Sequence, residues 1–187
     1  MAKKGIQYAV FAKLTESDNG ATLTYSNGKY LSPVASYTGT PNNSDAKDYG
    51  DDRCVEVAKE TVGGTLSVEL TNDEEDIFTL LLGHAIGASG SSGAGELTYD
   101  INDEIPYVGT GAIGKSGSKY RAIWYPKVIF SEPTDENTTR QESTAFGHIT
   151  LEGEIVPPVN GKWKVEKRFD SLSAAKSWLN GKAGISA

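Results

Sequence analysis

Two histidines, His84 and His148, and one cysteine, Cys54, are the side chains in this 187-residue sequence on which acid–base and nucleophilic chemistry near neutral pH would most readily fall. Neither histidine stands in a recognisable catalytic motif. His84 follows a predicted helix, where its charge suits the negative C-terminal end of the dipole, and His148 sits in a strand pattern beside Gly147. Both read as structural, and a small hydrolase using His84 or His148 is the enzymatic alternative. Cys54, between Arg53 and Val55, reads as a small buried apolar residue. Alone it cannot form an intramolecular disulfide, and with two distant histidines it supplies too few ligands for a structural zinc.

Asp45, Asp48, Asp51 and Asp52 bring together carboxylates of the kind a hard cation such as calcium needs, but their spacing does not follow the alternation of an EF-hand loop. They read as turn aspartates. Gly109-Thr110-Gly111-Ala112-Ile113-Gly114 superficially spells a dinucleotide fingerprint, yet Lys115-Ser116-Gly117-Ser118 follows in place of a helical pattern, so a turn is expected there. Lys162, Lys164, Lys167 and Arg168 surround Trp163 in a basic, aromatic patch that suits a sheet face or an interface rim. No catalytic residue, cofactor or metal site is assigned.

The elements that would position these residues are mostly strands. Ile6 to Leu14 and Ala21 to Tyr25 flank the turn signal Ser17-Asp18-Asn19-Gly20, which predicts an N-terminal hairpin. From Ser26 to Asp52, Gly, Pro, Asn, Ser and Asp dominate with little apolar periodicity, which predicts a long loop of a length that compact domains carry for a purpose. Strands resume at Arg53–Ala58 and Gly64–Leu70, the latter placing Leu66, Val68 and Leu70 on one face. Thr71 or Asn72 can cap a short helix whose acidic first turn is Asp73-Glu74-Glu75-Asp76, whose apolar stripe is Ile77, Leu80 and Leu81, and whose stop is Gly83. Gly87 to Gly95 reads as a flexible loop. Strands follow around Tyr107–Gly109, Tyr120–Tyr125, Lys127–Phe130, Phe146–Gly153 and Lys162–Glu166, and a second helix opens at Ser171 and stops at Asn180-Gly181. The fold expected is one α+β domain, mainly β, with a sandwich or barrel core.

The net charge of −7 and a pI near 4.9 disfavour tight binding to nucleic-acid phosphates. Met1 to Gly5 leads into no continuous apolar core of a signal peptide, and no segment approaches the ~20 apolar residues that span a bilayer. A soluble protein of the cytoplasm, without a membrane partner, is expected.

In order, several segments resemble the major tail proteins, or tail tube proteins, of phages with long non-contractile tails. They are Gly5-Ile6-Gln7-Tyr8-Ala9-Val10, Tyr49-Gly50-Asp51-Asp52 before a strand, Gly63-Gly64-Thr65-Leu66-Ser67-Val68 leading to Leu80-Leu81-Leu82-Gly83, Ile105-Pro106-Tyr107-Val108-Gly109-Thr110-Gly111, Tyr120 to Val128, and Phe146 to Gly153 before Gly161-Lys162-Trp163. The resemblance covers roughly residues 5–170 through the joint order of common pieces. It implies a β-sandwich-like tail tube fold with a short flanking helix, a long inter-subunit loop and terminal arms, and no catalytic residues. It further implies a virion structural protein, assembled in the host cytoplasm, that stacks as hexameric rings into a tube conducting DNA without sequence-specific binding. Its other partners would be tape measure, terminator and baseplate proteins. Tyr30, Tyr37, Asp48, Tyr49, Asp51 and Asp52 are the candidate assembly residues of the 26–52 loop, with residues 1–4 and 171–187 as candidate arms. A stand-alone carbohydrate- or protein-binding β-sandwich, with Trp124, Tyr125 and Trp163 as platform aromatics, is the alternative.

Overall fold

A computed structural model describes residues 3–17, 20, 22–31, 33–50, 53–72, 77–87, 94–134 and 148–185. The N-terminal hairpin forms as expected: β1 (Lys3–Glu16) pairs antiparallel with β2 (Leu23–Tyr30). β3 (Val34–Gly50) and β4 (Arg53–Leu70) make a second, much longer hairpin. Two-residue strands β5 (Ala85–Ile86) and β6 (Leu97–Thr98) pair with each other, tying together the flanks of the glycine and serine stretch. Its residues 88–93 lie outside the described residues. β7 (Val108–Ser116), β8 (Lys119–Phe130), β9 (Ile149–Ile155), β10 (Val165–Phe169) and the helix α1 (Leu172–Ala183) complete the fold.

The strands order as β2-β1-β7-β8-β9-β4-β3, with β10 also on β8. β8 is the hinge of this sheet. One edge pairs with β7, while the other pairs with β10 over Tyr120–Trp124 and then with β9 over Val128–Phe130. Pro126 stands between those two ladders, where its missing N–H removes no bond from either. The sheet therefore folds across itself into a sandwich-like pair of layers. Phe11, Leu66, Val68, Tyr125, Phe130, Leu151 and Ile155 fill the space between.

β1 shows why its central residues are apolar without interruption. Ala9 and Phe11 face the inter-layer core, and Val10 and Ala12 face a second core under α1 with Ile113, Trp124, Ala175 and Leu179. A strand buried on both faces loses its period-2 signal. α1 begins at Ser171, whose hydroxyl accepts from the Ala174 N–H at 3.2 Å, and buries Ala175, Leu179 and Ala183, four residues apart on one face. It continues through the expected Asn180-Gly181 stop to a left-handed cap at Gly184, because burial of Ala183 rewards the extra turn.

The glycine-rich 109–114 segment is the centre of β7, in place of the expected turn. A Cβ on Gly109 would collide with the rings of Trp124 and Tyr25, and one on Gly111 with α1 and the main chain of β8. These glycines are there for close approach across the layers.

The first helix is a single π-helical turn, Phe78–Leu82, which buries Phe78, Leu81 and Leu82 and ends at Gly83 with φ 82°. Gly83 satisfies the left-handed cap and a close approach to the Glu104 carbonyl. The acidic run 73–76 lies outside the described residues. Lys3 and Lys4, expected in a free arm, pair in the sheet with Ser116 and Lys115, where the ladder offers their backbone groups partners.

Candidate assembly surfaces

Most described residues of the expected 26–52 loop are strand. Ser26–Tyr30 belongs to β2, and 34–50 is β3, in unbroken register with β4 apart from three bulges. Past Gly63 and Gly64, β9 no longer covers β4, which it pairs only over Gly64–Leu70, so among the described residues Asn42–Gly50 and Arg53–Gly63 pair with each other alone. The result is a two-stranded ribbon, roughly 30 Å long at ~3.3 Å per residue. The described side chains along it, Asn42 to Asp45 and Ala58 to Val62, are exposed. With Asn42 to Asp45 wet, the first strand of the ribbon shows little apolar periodicity, which is why 42–50 reads as loop. Isolated two-stranded ribbons are marginal in water.

The candidate assembly residues separate. Tyr30 is half-exposed on β2 opposite Val10 and stacks on Tyr8 at 5.2 Å between ring centres. Tyr37 lies on the inward face of β3, stacked on Tyr125 and bonded through its hydroxyl to Thr110 Oγ1 at 3.4 Å. Burial holds its phenol well above the ordinary tyrosine range, with the Thr110 bond acting the other way. Tyr37 is thus a wall of the sandwich and no part of a loop. Asp48 pairs with Glu56 and Tyr49 with Cys54 at the far end of the ribbon, while Asp51 and Asp52 lie outside the described residues. The burial expected of the Cys54 side chain lies there too. Asp45, considered above for a cation, faces Lys59 across the ribbon at 3.7 Å.

A second surface is the outer face of β3, β4 and β9. Register sets Ser36, Thr38 and Thr40 beside Glu69, Ser67 and Thr65, and these beside Thr150, Glu152 and Glu154. Their in-facing neighbours Leu66, Val68, Leu70, Leu151 and Ile155 are buried. This nine-residue patch holds hydroxyls and three carboxylates with no lysine or arginine. His148 sits at its rim, 2.7 Å from Glu69. The alternation of both strands was legible in the sequence; that they lie side by side was not.

A third surface is a cleft of about 440 Å³, walled by Tyr37, Gly39 and Tyr125 and lined by Lys115, Arg121 and Lys164. Glu166 faces these cations: it accepts from Arg121 at 2.5 Å and lies 3.9 Å from Lys164. The Arg121 bond holds its carboxyl below the ordinary range. Lys164 also stands 6.0 Å above the Tyr125 ring and 5.9 Å above Trp163. The basic patch expected around Trp163 therefore opens partly onto this cleft.

The histidines are held by carboxylates. His84 is buried, with Nδ1 2.8 Å from Asp103 and Nε2 2.5 Å from Glu132, and its ring packs on Tyr99. The bond to His84 is the main reason that the Asp103 carboxyl lies below its ordinary range. With both ring nitrogens engaged, His84 ties the 100–104 segment to the end of β8 and offers neither nitrogen to a substrate. Trp124 and Tyr125 are 1% and 3% exposed, which removes them as a platform for a flat sugar ring. Compared with known proteins, the chain matches no family model and no curated sequence.

Proposed function

We propose that this chain is a non-catalytic structural subunit that self-assembles into stacked hexameric rings, forming a phage tail tube through which DNA passes. The ribbon carries this reading, because its described side chains, Asn42 to Asp45 and Ala58 to Val62, are exposed and no other described strand pairs with it. A surface of that kind gains its free energy by docking on another subunit. Head-to-tail contacts between identical chains are heterologous and close into rings or propagate as filaments.

The patch of Glu69, Glu152 and Glu154 supports the conduit part of the reading. A wall of carboxylates and hydroxyls releases no counterions from DNA and lets it slide, whereas a basic wall would trap it. The ordered resemblance of segments from Gly5 to Trp163 points the same way.

The test is concentration-dependent assembly, followed by sedimentation and negative-stain microscopy. The wild-type chain is expected to give rings or tubes of uniform diameter. A variant in which 43–61 is replaced by a two-residue turn is expected to keep its circular dichroism spectrum and stay monomeric. Tubes from that variant, or a wild-type chain that stays monomeric at every concentration, would overturn the reading.

A further inference from the structure

We infer that the cleft walled by Tyr37 and Tyr125 is a binding site for a small organic anion, a monocarboxylate with an apolar body. The site goes beyond the assembly reading and does not depend on it. Its charge comes first. Among the described residues, the lining holds three cations, Lys115, Arg121 and Lys164, and no carboxylate, in a chain whose net charge is −7. The sheet brings them together. The hairpin of β7 and β8 sets Lys115 opposite Tyr120 and Gly114 opposite Arg121, and β10, on the other edge of β8, brings Lys164 from just before its first residue, Val165. A cleft with charge of one sign and walls of low dielectric concentrates ions of the other sign.

The folded chain answers this charge only in part. Glu166 accepts from Arg121 and stands 3.9 Å from Lys164 and 4.0 Å from Arg168, so one carboxylate is shared by three cations. Among the described residues Lys115 has no carboxylate partner, and its ammonium stands 5.7 Å from the centre of the Tyr120 ring. Arg121 Nε is buried and has no hydrogen-bond partner among the described residues. Folded proteins seldom leave such a donor unmet.

The rest of the lining is apolar. Ile6, Ala112, Ile123 and Tyr125 contribute to it, and the volume of about 440 Å³ lies within the ~300–1,000 Å³ of small-molecule sites. Glycines keep the space open. A Cβ on Gly39 would collide with the Tyr125 hydroxyl, whereas one on Gly114, on the same face of β7 as Ala112, meets only the Gly5 carbonyl oxygen within 4 Å, at 3.7 Å. Two lysines and an unmet Arg121 N–H beside apolar walls suit a single carboxylate, whose two oxygens accept several hydrogen bonds, carried on an apolar body.

The test titrates the full chain with 2-naphthoate by isothermal titration calorimetry, at a concentration where the chain is monomeric, beside neutral 2-naphthamide, acetate and inorganic phosphate. Naphthoate is expected to bind at a single site, about tenfold or more tighter than the amide, which lacks the charge, and than acetate or phosphate, which lack the apolar body. Lys115→Gln with Lys164→Gln is expected to weaken it by about tenfold or more. Gly114→Val, which places a side chain where the fold has room for one, is expected to abolish it, and both variants should keep the circular dichroism spectrum of wild type. Naphthoate that fails to bind, binds no better than the amide, or binds the lysine variant as tightly as wild type overturns the site. Acetate or phosphate binding as tightly as naphthoate overturns it too, by marking a surface that reads charge alone. Because the readout is binding by the monomer, a chain that takes naphthoate but never forms tubes removes the assembly reading and leaves this site in place.

Discussion

Gly111→Ala and Gly181→Ala make the same chemical change in opposite surroundings. A Cβ built on Gly111 would lie 2.7 Å from Leu179 Cδ1 and 2.9 Å from Trp124 Cε3, and closer still to the carbonyl oxygen of Ile123. The first two can yield a little by rotation. The third is main chain of the adjoining strand β8, so relief requires β7 to part from β8 or α1 to lift from the sheet. Overpacking of this kind costs about 1–3 kcal/mol. Restricting the unfolded chain returns only about 0.4–1 kcal/mol. The net loss is then about 1–2 kcal/mol, and at about 2–4 °C per kcal/mol for a domain of this size the melting temperature should fall by about 2–8 °C. Gly181 lies inside α1 with nothing within 4 Å of its added Cβ. There alanine removes a helical glycine and stabilises by about 0.5–1 kcal/mol, which raises the melting temperature by about 1–4 °C. The assay is thermal unfolding by circular dichroism at a concentration where the chain is monomeric. A Gly111→Ala variant that melts at or above wild type would show that α1 does not seat on β7 as described.

Converting Glu69, Glu152 and Glu154 together to Lys should leave monomer folding intact and make assembled tubes retain DNA. Three new phosphate contacts would steepen the dependence of log affinity on log salt by up to about 3, and retention of labelled duplex across a salt series measures it. Glu166→Gln should lower stability at neutral pH and matter less in acid. The carboxyl is held below its ordinary value of 4.5 in the folded state by Arg121, so its contribution is complete above that value and is lost as pH falls through the depressed one. The gap between wild type and variant in denaturant unfolding should therefore close below pH 4.5; a gap that widens in acid would refute the assignment.

Much of the mainly β fold was legible in the chain, because turn chemistry and one-sided burial leave marks on sequence. Ser17 to Gly20 marked the first hairpin, the alternation from Gly64 to Leu70 marked a half-buried strand, and Ser171 marked the start of α1. The net charge and the scarcity of histidine and cysteine were also visible.

Tertiary structure decided what has no local signature. The first strand of the ribbon, 42–50, shows little apolar periodicity, and its strand state comes from pairing across the hairpin. Gly109 and Gly111 look like turn residues until Trp124 and, for Gly111, Leu179 of α1 are seen against their backbone. Lys115, Arg121 and Lys164 share a cleft with Tyr37 because β8 changes partners at Pro126 and folds one layer over the other. A single sequence records what each residue asks of its own surroundings, and only the folded sheet sets which distant residues share a surface.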